Sequence, residues 1–302
     1  MIQQLSETQW QTYQHEGYLR LGKCLTDKEL GDLQQRMDEI MLGKAALDYD
    51  HTFMQLDSIP GVSDEAGVGG SGHKGATLRY RKIQDLEFDP LFLRYMQRPL
   101  FQDICAKVYG ESTPIACMRA MYLNKNVNEG TNPARRGARV LWHQDRWVNF
   151  DRDPLLTIWT AMSPVTVENG CVYITPRQHQ TLINPSHSGG FLTDEQAETL
   201  VAEVEPIPLE MDAGEAVLLH NWMPHSSSSN HSPIDRRALS VCYMDAATVD
   251  WFQASRNGPE ATHARLAWIR DNGGMTPPDM GKSYSLIFGE GALDPAQFSE
   301  DH

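Results

Sequence analysis

Between residues 114 and 245 the chain changes texture every few residues, and that cadence limits what it can become. Apolar runs at Ile115–Lys125, Arg139–Trp142, Leu155–Met162, Gly170–Thr175 and Ala216–His220 are separated by Pro, Gly and Asn turns. A last run, Ala238–Met244, follows the Ser/Asn-rich stretch 226–232. Runs bounded in this way read as strands. At this spacing they predict an antiparallel jelly-roll or barrel.

Upstream the pattern is helical. Ser6–Glu7–Thr8–Gln9 is a capping box ahead of a short segment carrying Trp10 and Tyr13. Thr26–Asp27–Lys28–Glu29 is a second, ahead of a segment in which Leu30, Leu33, Met37, Ile40 and Met41 form one apolar stripe. Residues 91–108 are helical in pattern and interrupted at Pro99. These helices are expected to lie against one face of the sheet. The glycine-rich segment 61–75 has no period and reads as a loop, either a lid or plain surface. It is no phosphate-cradling loop, because His73–Lys74 stands where Lys–Ser/Thr is needed and no apolar strand leads in. Glu260–Asp271 reads as a final helix, ended by Asn272–Gly273–Gly274. The expected organisation is a single domain over 1–302, mainly β with flanking helices (α+β). Helical support and the lid loop run to 110, a jelly-roll core spans 111–245, and a helix and tail close the chain from 246.

Composition narrows the function. Forty acidic against 26 basic residues give a net charge of −14, which disfavours nucleic acid or an anionic membrane surface as partner. A small substrate is still compatible with it, since a basic pocket can sit inside an acidic protein. The five cysteines are scattered, with no Cys-x-x-Cys pair, so buried reduced thiols are expected rather than a disulfide framework. No apolar stretch reaches the ~18 residues that span a bilayer, and the expected location is the cytoplasm. Oligomeric state is not legible.

The chemistry gathers around His143–Gln144–Asp145. On a strand, residues two apart face the same side. A histidine and a carboxylate so placed, with a second histidine from elsewhere, make the facial triad of a non-haem Fe(II) oxygenase. Alone, H-x-D is weak. Its company about eighty residues on is more telling: the run Ala216–Leu219 leads into His220, His225, Ser227, Asn230 and Arg236. Two histidines compete for the third ligand position. An oxygenase with a keto-acid cosubstrate also needs a deep cation for the far carboxylate. Arginine suits that task, because its fork bonds a carboxylate bidentately and never loses its charge.

Several segments then occur in a telling order: Arg81–Lys82–Ile83–Gln84–Asp85, Met121–Tyr122–Leu123–Asn124–Lys125, His143–Gln144–Asp145, Trp159–Thr160–Ala161–Met162, Asn169–Gly170–Cys171, and His225-x-Ser227-x-x-Asn230 leading to Arg236–Arg237–Ala238–Leu239–Ser240. Over roughly residues 75–245 this set resembles the phytanoyl-CoA dioxygenase family of Fe(II)/2-oxoglutarate oxygenases. The resemblance implies a double-stranded β-helix, a cupin-like jelly-roll. It implies His143, Asp145 and His225 as iron ligands, and Arg236 as the anchor of the distal 2-oxoglutarate carboxylate with Ser227 as its hydroxyl partner. Lys82, Met121 and Trp159 would line the cosubstrate pocket. The implied reaction consumes 2-oxoglutarate and O2, releases succinate and CO2, and hydroxylates a small-molecule metabolite, with secondary metabolism as the expected setting. Related halogenases carry a small residue where Asp145 stands, so an aspartate favours hydroxylation.

The chain departs from the family pattern in two places. Thr175–Pro176–Arg177–Gln178–His179 replaces the usual Pro-Gly-Ser/Thr-His, which offers Arg177 and His179 as substrate contacts. Asn126–Val127–Asn128 replaces Lys–Pro–Pro, which alters the loop leading to the metal strand. The Ser-x-x-Asn context favours His225 over His220 as ligand. Arg237 should point away from Arg236, and Arg135, Arg136 and Arg139 are either solvated or substrate-facing. The rival readings are a cupin-like metal-dependent isomerase or lyase, which would not need Arg236, and a silent binding module on the same barrel.

Overall fold

The computed structural model describes residues 4–56, 69–127, 139–250 and 284–298. Both capping boxes start helices, α1 (Glu7–Glu16) and α2 (Asp27–Met41). Strand β1 (Tyr18–Lys23) lies between them. Next come β2 (Phe53–Leu56), β3 (Gly69–Ser71) and β4 (Tyr80–Gln84), then α3 (Pro90–Met96) and α4 (Pro99–Tyr109), each with a proline in its first turn. Proline is tolerated there because the missing N–H has no partner within the helix. The first 110 residues thus supply four strands besides the helices, which the sequence pattern did not single out. Residues 69–71 of the expected loop form an edge strand. Its other residues up to 68, and the expected helix Glu260–Asp271, lie outside the described residues.

Among the described residues after 114 come β5 (Ile115–Lys125), β6 (Val140–His143), β7 (Leu156–Ala161), β8 (Val172–Ile174), β9 (Ile207–Pro208), β10 (Glu215–His220), β11 (His225–Ser227), β12 (Arg236–Asp245) and β13 (Ser285–Phe288). Of these, β5, β6, β7, β8, β10 and β12 are the expected runs, and β9, β11 and β13 are additional. An unexpected helix, α5 (Asp194–Glu203), starts at a third capping box made by Thr193 and Gln196. Its signal, Thr193-x-x-Gln196, is visible in the sequence.

Among the described residues the strands form two sheets. The larger has the order β1-β10-β7-β12-β5-β4-β2-β3, with β13 also paired to β5, and the smaller runs β6-β11-β8-β9. All the pairings are antiparallel. This is the predicted jelly-roll. Period-two alternation sorts the larger sheet between two cores. Tyr122, Ile158, Leu218, Leu239 and Val241 pack outward with Leu33, Met37, Ile40, Phe92 and Phe101 of the helices. Trp159, Ala161, Val217, Leu219 and Ala238 face inward with Val172 and Ile174 of the smaller sheet. All five cysteines are buried and none forms a disulfide. No helix among the described residues is long and apolar enough to cross a membrane.

The helical layer is bolted by one buried carboxylate. Asp89 caps α3 by accepting from the Leu91 and Phe92 N–H groups, and its other oxygen accepts from Arg36 Nε of α2 at 2.6 Å. Arg237, on the outward face as expected, reaches the same helix through Asp38 at 2.8 Å. Asp89→Ala removes a cap and leaves a largely buried guanidinium without its carboxylate, and is expected to cost about 3 kcal/mol. Urea unfolding monitored by circular dichroism measures this as a lower midpoint at unchanged slope.

Candidate metal centre and cosubstrate pocket

His143 and His225 sit directly opposite each other where β6 pairs with β11, and their ring centroids are 4.1 Å apart. Asp145 arrives differently from the sequence expectation. Strand β6 ends at His143, so the carboxylate is placed by loop backbone rather than by strand alternation. The Asp145 N–H donates to Asn221 O at 2.7 Å and the Gln144 N–H to Gly190 O at 3.1 Å. Between His143 and Asp145, the Gln144 side chain points into the protein. Its Nε2 donates to Thr181 O and Trp222 O, and its Oε1 accepts from Ile183 N. Gly190 (φ +67°) must stay a glycine, since a Cβ there would stand 1.9 Å from Gln144 O.

The donor set fits a metal ion. One donor atom from each of His143, Asp145 and His225 lies within 4.8 Å of the others, and His143 Nε2 is 3.7 Å from Asp145 Oδ1. Each imidazole donates its Nδ1–H to a backbone carbonyl, His143 to Leu141 O at 2.9 Å and His225 to Met223 O at 2.8 Å. That fixes the tautomer and leaves Nε2 as an unprotonated donor toward the ion. Burial, and then the neighbouring His225, push His143 down to about 4, so it is neutral. Burial works to raise the Asp145 carboxyl, but His225, His143, Arg119 and Lys82 outweigh it and hold the group below the usual range. Phe191 stacks on the His143 ring at 4.9 Å.

His220, the competing histidine, is elsewhere. It packs against His179 at 5.0 Å and accepts the Trp222 N–H. His179 is buried and lies against Gly17, where an added Cβ would come within 2.3 Å of it. Arg177 is mostly exposed and faces Glu16 at 3.8 Å. Neither residue of the departing Thr175–His179 segment lines the centre. Arg139 is exposed at the start of β6, and Arg135 and Arg136 lie outside the described residues.

Residues paired across antiparallel strands share a face, so the inward side of the larger sheet can be read as successive rows. The first is Lys125–Arg236, followed by Lys82–Leu123–Ala238–Ala161, then Gln84–Met121–Ser240–Trp159–Val217, and last Arg119–Cys242–Thr157–Leu219. The expected pocket residues Lys82, Met121, Trp159 and Arg236 thus line one surface. Arg236 is 4% exposed, and its Nε and Nη1 have no hydrogen-bond partner among the described residues. Its guanidinium lies 5.5 Å over the Trp159 ring, and burial pushes it down to about 10, still charged at neutral pH. A buried cation with unused donors is a receptor for a carboxylate. The residues present therefore fit 2-oxoglutarate as well as the metal.

Ser227 departs from its expected pairing. Its hydroxyl accepts from Lys125 Nζ at 2.8 Å, and the same ammonium also donates to Ser228 O. The expected partner, Arg236, is the residue opposite Lys125 in the register. Gly170 (φ +83°) permits this approach, because a Cβ would meet Ser228 O at 2.5 Å and the Lys125 stem at 3.1 Å. Burial, then the Arg236 charge, lower Lys125 to about 7.

Two outcomes follow from this geometry. Gln144→Leu keeps the volume but leaves two carbonyls and an amide unpaired behind His143 and Asp145, so Fe(II) affinity should fall roughly 10- to 100-fold, read by anaerobic equilibrium dialysis. For Lys125, the folded protein binds fewer protons than the unfolded chain between about pH 7 and the ordinary value of 10.5. Stability therefore rises with pH through that window. The advantage of Lys125→Met over wild type in unfolding free energy should accordingly be largest at or below pH 7 and shrink toward pH 10.

The family model described as phytanoyl-CoA dioxygenase (PhyH) matches residues 13–238. A Caenorhabditis elegans protein named probable phytanoyl-CoA dioxygenase is 27% identical over 254 residues, covering 80% of this chain and 76% of its own. The methylphosphonate hydroxylase of Gimesia maris is 26% identical over 247 residues, covering 82% and 83%. Among solved structures, EctD from S. alaskensis with 2-oxoglutarate and 5-hydroxyectoine has a TM-score of 0.63 at 18% identity, covering 82% and 79%. The carbocyclase SnoK from nogalamycin biosynthesis has a TM-score of 0.60 at 20% identity, covering 82% and 86%. Those structures share the fold. With the family model matched over most of its length, the chain belongs to the phytanoyl-CoA dioxygenase family, whose members are oxygenases dependent on Fe(II), 2-oxoglutarate and O2.

Proposed function

We propose that this oxygenase hydroxylates an unactivated C–H bond of a small-molecule metabolite, with succinate and CO2 released from 2-oxoglutarate. The observation that carries the reading is the convergence of His143, Asp145 and His225 on one point, with the unpartnered Arg236 guanidinium on the facing sheet. The three side chains are assigned as the iron ligands. When bound there, ferrous iron and O2 supply the oxidising chemistry, and the protein supplies orientation and exclusion of water. Arg236 takes the distal carboxylate of the keto acid, and Trp159, packed beneath its guanidinium, limits where that fork can point. Met121 and Trp159, opposite the same Ser240 on neighbouring strands, make an apolar wall that keeps water from the cosubstrate. Lys82 acts on the Asp145 carboxylate electrostatically.

Asp145 supports hydroxylation over halogenation, since a carboxylate occupies the position that a halide would otherwise take. An isomerase or lyase on the same barrel would have no use for a cation as deeply buried as Arg236. The relatives differ in what they act on by name, from phytanoyl-CoA to methylphosphonate, so the family alone does not choose the substrate.

An anaerobic titration of metal-free protein with Fe(II) and 2-oxoglutarate should produce a visible charge-transfer band. Arg236→Ala should abolish the band at ordinary 2-oxoglutarate concentrations, and His143→Ala should abolish it through loss of the metal. On admission of O2, succinate should form in wild type and in neither variant. Iron bound without band or succinate would overturn the reading.

A further inference from the structure

Among the described residues, Arg119 is the inward-facing arginine of the larger sheet that the assignments above leave without a task. It opens the last row of the sheet's inward face, opposite Cys242. Cys242 Sγ accepts from Asn221 Nδ2 at 3.3 Å, and Asn221 O holds the Asp145 N–H at 2.7 Å. That chain of contacts brings Arg119 beside the metal centre, where its charge acts on the Asp145 carboxyl. It forms no ion pair with Asp145, nor any other ion pair or hydrogen bond among the described residues. Its Nε is buried without a partner. The guanidinium instead lies over the Trp147 ring, 5.3 Å from the centroid, and Trp147 follows Asp145 by two residues.

Position matters as much as charge. Arg236 and Arg119 stand in the first and last rows, about six residues apart along β5, or ~20 Å of strand. A keto acid that chelates the ion and reaches for Arg236 extends toward one end of the sheet, which leaves the other end, with Arg119, for the second reactant. The aim of Arg119 is itself built in. Cys242 pairs with Arg119 but Tyr243 pairs with Cys117, so Met118 is an extra residue in β5. This bulge puts both Met118 and Arg119 on the inward side. Bulges of this kind re-aim side chains next to active sites.

Charge bookkeeping agrees. Ferrous iron, the Asp145 carboxylate, the two carboxylates of 2-oxoglutarate and the Arg236 guanidinium cancel. Lys82 and Lys125, on the same face, add no negative charge, so Arg119 is a surplus cation beside a low-dielectric centre, in a chain whose net charge is −14. A half-buried guanidinium with unused donors is stabilised by an anion that brings paired oxygens.

We propose that Arg119 is the anchor for an anionic group of the prime substrate, a carboxylate or a phosphate-type oxyanion, and so sets which C–H bond lies over the metal. The proposal rests on the oxygenase reading, and its test separates the two. Anaerobic protein carrying Fe(II) and saturating 2-oxoglutarate is titrated in a calorimeter with hexanoate and with butylphosphonate as probes. Hexanamide serves as the uncharged counterpart, and the charge-transfer band is followed in the same samples. The expected result is saturable binding of at least one anion and at least tenfold weaker binding of hexanamide, with the band preserved. Arg119→Gln should weaken the anion at least tenfold, and Arg119→Lys, which keeps the charge but not the fork, should fall between. A purely structural Arg119, stacked on Trp147 to close the barrel, would leave the anion-to-amide preference unchanged in Arg119→Gln. That result, or an intact band with neither anion bound, overturns this proposal alone. Absence of the band overturns the oxygenase reading beneath it.

Discussion

The site depends on the register between β5 and β12. This central pairing runs the length of both strands and fixes Lys125 opposite Arg236, Met121 opposite Ser240 and Arg119 opposite Cys242. A slip of one residue would turn every one of these side chains to the other face. The cations would then stand against Leu33, Met37 and Ile40 of α2, and the apolar residues would face the centre. Both faces are committed in this way, so the register is held from two sides. The outer core of helices and the inner core shared with the smaller sheet require the same alignment.

What that register secures is a group of buried charges that the fold tolerates at a cost. Arg236 is almost wholly buried with unused donors, and Lys125 is buried deeply enough to be lowered to about 7. Burying a cation without a countercharge is unfavourable, so these residues weaken the protein alone and gain most when an anion arrives. Lys125 lessens the conflict by titrating. Lowered to about 7, it can give up its proton near neutrality and so shed the cost of a buried charge. Arginine cannot do so, which is why the permanent charge stands where bidentate geometry matters and the adjustable one stands behind Ser227.

Much of this was legible in the sequence, and the parts that were not share a cause. Strand cadence located β5, β6, β7, β8, β10 and β12 but not the short β9 and β11, and the capping boxes located α1 and α2, because both signals are local. His143, Asp145, His225 and Arg236 were found through an ordered set of motifs, and the structure brings the first three together while setting Arg236 on the facing sheet. Reading Asp145 as a strand residue failed because β6 stops at His143, and the loop geometry that takes over is written in Gly190, Asn221 and Gln144, far apart in the chain. The pairing of Ser227 with Lys125 rather than Arg236 was equally hidden, since it depends on which residue faces which across β5 and β12. Strands β1 to β4 were missed because they join an existing sheet edge and are shaped by it more than by their own propensity.

Arg119 is the sharpest instance of that limit. Nothing in Cys117–Met118–Arg119–Ala120 marks a bulge, and by simple alternation Arg119 would share a face with Cys117, whose side chain packs in the outer core. Only the shifted pairing at Tyr243 turns it inward. The contrast with the chain's surface is then informative. Exposed charges are screened over ~8 Å at physiological ionic strength, whereas buried ones are screened much less. The acidic exterior therefore slows the approach of any anion without setting its final affinity. Inside, Lys82, Arg119, Lys125 and Arg236 line the inner face of the sheet, and the Asp145 carboxylate feels the charges of Lys82 and Arg119. A sheet that gathers basic side chains on its inner face while the chain as a whole is acidic is organised around anions, and 2-oxoglutarate accounts for one of them.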